Sequence, residues 1–105
     1  MRIALAQIAP AKGDIEANIR LHLEYARKAA AMNANAVFFS ELSLTAYEPH
    51  LAKALKLDIT DSKLQVLQQL SDQHQLTIGV GAPTPHGQEV QISMLLFQTG
   101  KKVQI

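Results

Sequence analysis

An α/β fold with parallel strands is predicted by two features of the sequence. Short apolar runs with little polar alternation lie at Arg2–Ala9, Ala36–Phe39 and Leu76–Ala82, the pattern of strands buried on both faces. The stretches joining them are long and carry helical periodicity, so the first strands are joined by crossovers, which makes their pairing parallel and right-handed.

Each element has its own local cause. Arg2–Ala9 reads as a strand because Ile3, Leu5 and Ile8 interleave with small Ala residues, and Pro10 closes it. With both sides apolar or small, it is expected to be a buried, central strand. Lys12-Gly13-Asp14 is a turn, and Asp14 is placed to cap a helix over Ile15–Met32. In that helix Ile15, Ile19, Leu23, Ala26 and Ala30 recur at helical spacing, while Glu16, Arg20, Glu24, Arg27 and Lys28 fill the other side. Glu24 and Lys28 form an i,i+4 pair, and Asn33 and Asn35 end the helix through tolerance of left-handed geometry.

Ala36–Phe39 is a short, wholly apolar strand, followed by the polar block Ser40–Pro49. A short helix is expected over Leu51–Leu57. Thr60 or Asp61 caps another, with Leu64, Leu67 and Leu70 on its inner stripe. Leu76–Ala82 is the third strand, ended by Pro83-Thr84-Pro85. Val90–Gln98 and Lys101–Ile105 are expected to form a hairpin turning at Thr99-Gly100-Lys101. The last residues carry a strand-like pattern with no closing turn, so the chain reads as cut inside a larger domain.

Composition narrows the chemistry. The chain has 105 residues, enough for one small domain. Ten Lys and Arg against nine Asp and Glu give no basic field for nucleic acid or an anionic membrane. No apolar stretch approaches the roughly 20 residues of a membrane span, and the apolar start is too short for a secretory signal, so a cytoplasmic protein is expected. There are no cysteines, which excludes disulfides, thiolate metal sites and a thiol nucleophile within these residues. His22, His50, His74 and His86 have no ligand spacing and read as surface or helix-end residues, so neither metal nor cofactor is expected. Gly79-Val80-Gly81 lacks the third glycine and following helix of a dinucleotide fingerprint, and reads as close packing at a strand. Asp58, Asp61 and Asp72 read as caps and solvated positions.

Glu41 is the one position where placement suggests catalysis. It follows a buried strand of a parallel sheet, where loops face a crevice and a carboxylate held in a partly dry cleft is suited to general-base work. Position alone leaves an ordinary solvated loop Glu as the alternative.

The wider sequence resembles the opening of the carbon–nitrogen hydrolase (nitrilase/amidase) superfamily. The resemblance is carried by Met1–Pro10, Asp14 and Asn18, the block Val37–Tyr47 with its strand–Glu–Leu–x–Leu–Thr–x–Tyr motif, Ile78–Pro83 and Met94–Lys101. It implies the N-terminal part of an α-β-β-α sandwich with a mixed, largely buried sheet, residues 1–105 being a partial domain. It also implies a Glu-Lys-Cys mechanism on amide, nitrile or carbamoyl carbon, with Glu41 as general base. Tyr47 either lines the substrate cleft or supports the Glu41 loop, or it packs as an amphipathic residue with its hydroxyl in solvent.

Only the Glu of that set is present, so the chain by itself is expected to be inactive. Lys101 and Lys102 match the turn and not the catalytic Lys. Ser40 stands where many members have Pro, Ala46 where many have Gly, and Ile92 near a frequent Asn. The expected partners are a small-molecule amide or nitrile substrate in the complete enzyme and further copies in a homo-oligomer. The alternative is a truncated, non-catalytic interaction or oligomerisation module.

Overall fold

The structure is a computed structural model, and it describes residues 1–40, 43–44 and 61–105. Four strands and two helices are defined: β1 (Ile3–Leu5), α1 (Ile15–Ala31), β2 (Ala36–Phe38), α2 (Gln65–His74), β3 (Thr77–His86) and β4 (Glu89–Phe97). A single 3-10 turn at Ser62–Leu64 leads into α2. The expected helix over Leu51–Leu57 lies outside the described residues.

The strands form one mixed sheet in the order β1-β2-β3-β4. β1 pairs with β2 and β2 with β3 in parallel, while β3 and β4 are antiparallel. α1 begins where Asp14 Oδ1 accepts from Ala17 N at 3.0 Å. It ends before Asn33, whose φ of 62° is the left-handed geometry foreseen for it. The Lys28–Glu24 pair is present at 3.9 Å between two exposed side chains and contributes little. Asp61, not Thr60, starts the second helical segment, its Oδ1 accepting from Lys63 N at 2.9 Å.

Both helices cover the same sheet face. Ile19, Ala26 and Ala29 of α1 and Leu67 and Leu70 of α2 join Val37, Ile78, Val80, Ala82, Leu95 and Phe97 in one buried cluster. The period-2 geometry of strands sends Ile3, Leu5, Phe38, Ile92, Met94 and Leu96 to the opposite face. Among the described residues no helix lies there. Ile3 is 55% exposed and Leu5 81%.

Three sequence expectations are corrected here. β1 is the edge strand of this sheet, not a central one, because nothing among the described residues pairs with its outer side. The strand beginning near Leu76 does not stop at Ala82 but runs through Pro83 and Pro85 to His86. β2 accompanies β3 only over Thr77–Gly79, so further on the proline positions break no ladder with β2. The main hairpin accordingly joins β3 to β4, with Gly87 at φ 63° in its turn. The Thr99-Gly100 turn also exists, yet beyond it only an isolated bridge, Leu96 to Gln104, is formed. That turn is tied to α2: Gly100 N donates to Asp72 Oδ1 (2.9 Å) and Thr99 Oγ1 to Ser71 O (3.0 Å).

Gly79 bears out the close-packing reading of the Gly-Val-Gly run. A Cβ there would lie 2.5 Å from Phe38 Cδ1 and 3.0 Å from Met94 Sδ. Phe38 is half-buried on the open face, where a side chain can shift at less cost than in the covered core, so the cost falls at the low end of overpacking. Gly79→Ala is expected to destabilise by about 1 kcal/mol, a Tm drop on the order of 4–8 °C in a thermal melt. An unchanged Tm would contradict this packing.

Among the described residues no helix is long and apolar enough to cross a membrane.

Candidate functional site

Glu41 and Tyr47, the two residues singled out for chemistry, lie outside the described residues, as does His50. What is described is the frame around them. β2 ends at Phe38, Phe39 N donates to Gly79 O at 2.9 Å, and further on Ser43 and Leu44 are both fully buried. Ser43 N donates to Ser40 O at 3.1 Å and Leu44 N to Gly81 O at 2.9 Å. The segment is therefore fastened to β3 on either side of residues 41–42, at the carboxyl end of parallel strands.

A polar cluster on α1 holds the same segment. Asn18 Nδ2 donates to Leu44 O (2.8 Å) and Ala11 O (2.7 Å), while its Oδ1 accepts from Ala11 N (2.7 Å). His22 Nδ1 lies 2.6 Å from Asn18 O, and its Nε2 lies 2.8 Å from Ser43 Oγ. A carbonyl only accepts, so Nδ1 carries the proton and Nε2 accepts from the Ser43 hydroxyl. Ser43 Oγ in turn accepts from Gly81 N at 3.1 Å. Every member is satisfied.

Sequence reasoning placed His22 at the surface. It is instead completely buried, with its ring centroid 4.2 Å from that of Phe39. The signal was present: the buried seam of α1 is Asn18, Ile19, His22, Ala26 and Ala29, one residue round from the stripe drawn through Leu23 and Ala30. An Asn and a His four apart on that seam mark a buried polar pair.

A Ser–His pair at 2.8 Å also has the spacing of a nucleophile and its base. Here the Ser43 oxygen is sealed from solvent and already accepts from Gly81 N, so no substrate carbon can reach it. The pair is structural.

Burial lowers the His22 pKa to about 4, against a smaller opposing effect of its bond to Asn18 O. As pH falls through 6.5 the unfolded chain gains a proton on His22 and the folded chain does not, until about pH 4. This stabilisation is complete above pH 6.5 and is lost as the solution is acidified. Urea titrations at pH 7 and pH 5 are expected to differ by about 2 kcal/mol from this group alone, and His22→Gln should remove that share. Equal pH dependence in both proteins would refute the assignment.

No group of three or more His, Cys, Asp or Glu among the described residues is arranged to hold a metal. A groove of about 510 Å³ is lined by Gln65, Gln68, Asp72, Phe97, Lys101 and Lys102 with their neighbours. None of its lining comes from β2 or the Ser40–Leu44 segment. Lys101 and Lys102 are exposed, as their turn position suggested. Asp72 is not a helix cap: it lies within α2, where its Oδ1 accepts from Gln68 Nε2 (3.0 Å) and from Gly100 N.

Comparison with known proteins gives consistent results. The family model for carbon–nitrogen hydrolases matches residues 2–105. An amidase from Nesterenkonia sp. superposes with a TM-score of 0.82 at 24% identity, covering 100% of this chain and 41% of the amidase. A double mutant of the amidase from Nesterenkonia sp. AN1 in complex with acrylamide gives 0.82 at 23% identity, covering 100% and 41%. A further mutant of that nitrilase-superfamily amidase gives 0.82 at 24%, again covering 100% and 41%. At these identities the likeness is one of fold. The chain spans about two-fifths of the length of the amidases it matches. No curated protein matches it.

Proposed function

Because the chain belongs to the carbon–nitrogen hydrolase family, we propose that residues 1–105 are the N-terminal portion of an amidase-like hydrolase domain whose general base is Glu41. The observation that carries this reading is the segment Ser40–Leu44 at the end of β2, bound on both flanks where the family's Glu-Leu-x-Leu-Thr-x-Tyr motif begins. A base must be held to within a fraction of an ångström of the proton it removes, and such fastening provides the means.

The chemistry runs as a thiol-based acyl transfer. Glu41 takes the proton of a Cys thiol as the sulfur attacks the amide carbon, and a Lys stabilises the oxyanion that forms. The protonated carboxyl then gives its proton to the departing amine. Water, deprotonated by the same carboxylate, hydrolyses the thioester. The described chain has no cysteine, so the nucleophile comes from elsewhere in the domain, and these residues alone are inactive. Tyr47, two residues beyond Thr45, lines the substrate cleft in this reading. Small amides are the substrate class, in line with the acrylamide complex of the amidase neighbour. The test is amide hydrolysis by a polypeptide joining residues 1–105 to the Lys and Cys, with and without Glu41→Gln. Equal rates would end the assignment.

One observation favours a second reading, a non-catalytic module. The open sheet face with Ile3, Leu5, Ile92 and Met94 exposed is an association surface, for further copies or for the rest of a larger assembly. Light scattering that finds a folded monomer at high concentration would count against it and against the homo-oligomer.

A further inference from the structure

Three polar side chains, Asn18, His22 and Ser43, are buried to 1% exposure or less, where apolar residues would pack at no desolvation cost. Their bonds do not run at random. Asn18 holds Leu44 O, His22 holds the Ser43 hydroxyl, and that hydroxyl holds Gly81 N. The same imidazole packs against the Phe39 ring, centroids 4.2 Å apart and planes tilted by 41°. One ring thus touches the residue before Ser40 and the second residue after Glu41. Asn18 meanwhile grips Ala11 at both its N–H and its carbonyl, which anchors the start of α1 to the chain leaving β1.

We propose that His22 and Asn18 are positioning residues for the catalytic segment: acting through Phe39, Ser43 and Leu44, they lock the backbone on both sides of residue 41 to α1 and β3. This rests on the reading of Glu41 as the base, and deepens it. Other buried polar contacts in the protein, such as Ser71 Oγ donating to Phe97 O at 3.2 Å, join secondary elements away from this segment and provide the comparison.

The experiment uses His22→Phe, which keeps an aromatic ring beside Phe39 and removes the bond to Ser43, with Ser71→Ala as control. Amide hydrogen exchange is followed at Ser43, Leu44 and Val80, and amide hydrolysis is measured in the polypeptide that supplies the Lys and Cys. In His22→Phe, Ser43 and Leu44 should exchange about tenfold faster relative to Val80, the ratio expected for one lost hydrogen bond. In that polypeptide His22→Phe should lower kcat for a small amide about tenfold with KM little changed, Ser71→Ala should do neither, and an unchanged kcat overturns the positioning role. Should His22→Phe not fold, Ser43→Ala removes only the hydroxyl and is read in the same way. Unchanged relative exchange at Ser43 and Leu44 in a folded variant overturns the positioning role. Hydrolysis that Glu41→Gln leaves unchanged overturns the general-base reading instead, and the exchange data still decide the role of His22.

Discussion

Glu41→Gln, in a polypeptide that supplies the Lys and Cys, is expected to lower kcat/KM for a small amide by about 10²–10⁴-fold, the usual contribution of a positioned general base. Gln preserves the shape and the hydrogen-bonding reach of Glu and loses only the ability to accept a proton. The loss should therefore fall on kcat, with KM changed far less, since the interaction removed is one made in the transition state. The pH profile sharpens the test. A rate that depends on an ionised carboxylate falls on the acid side as that carboxylate is protonated, and the acid limb should vanish in Glu41→Gln. A loss of less than about threefold, or a retained acid limb, would move the base to another residue.

The largest stability change is expected in the middle of the covered sheet face. Ile78 is fully buried, paired with Val37 on one side and Phe97 on the other. Truncation leaves a cavity that a three-strand, two-helix packing cannot close, so Ile78→Ala should cost about 2–5 kcal/mol in urea unfolding. A small domain holds only about 5–15 kcal/mol in all, and the variant should lie near the limit of folding. Ile92→Ala is the matched control. It lies on the opposite face, 46% exposed, and should cost less than about 1 kcal/mol. Similar losses at the two positions would mean that both faces are covered.

Much of this was legible in the residues themselves. Asp14 and Asn33 marked the ends of α1 because capping and left-handed geometry are local properties of those side chains. Val37 and Ile78 announced buried strands through apolar runs too short for helices. What escaped was whatever depends on a partner. Pro83 and Pro85 signalled a strand end, and only the shortness of β2 frees β3 to continue past them. The hairpin turn was sought at Thr99-Gly100 because glycine at a turn is visible in sequence, whereas the long pairing of β3 with β4 is set by register across the sheet. His22 was misplaced because a histidine on a helix is ordinarily solvated, and the groups that satisfy it come from 4 and 21 residues away. Glu41 and Tyr47 stood out through family resemblance and the strand-end position, and their own placement lies outside the described residues.

The bare side of the sheet has a thermodynamic corollary. A protein whose folded form meets other copies through such a surface is stabilised by mass action, so its unfolding midpoint climbs with protein concentration in proportion to the logarithm of that concentration. For this chain the proposed homo-oligomer therefore predicts a urea midpoint that rises with protein concentration, and a flat dilution series would count against cover of Ile3, Leu5 and their neighbours by other copies.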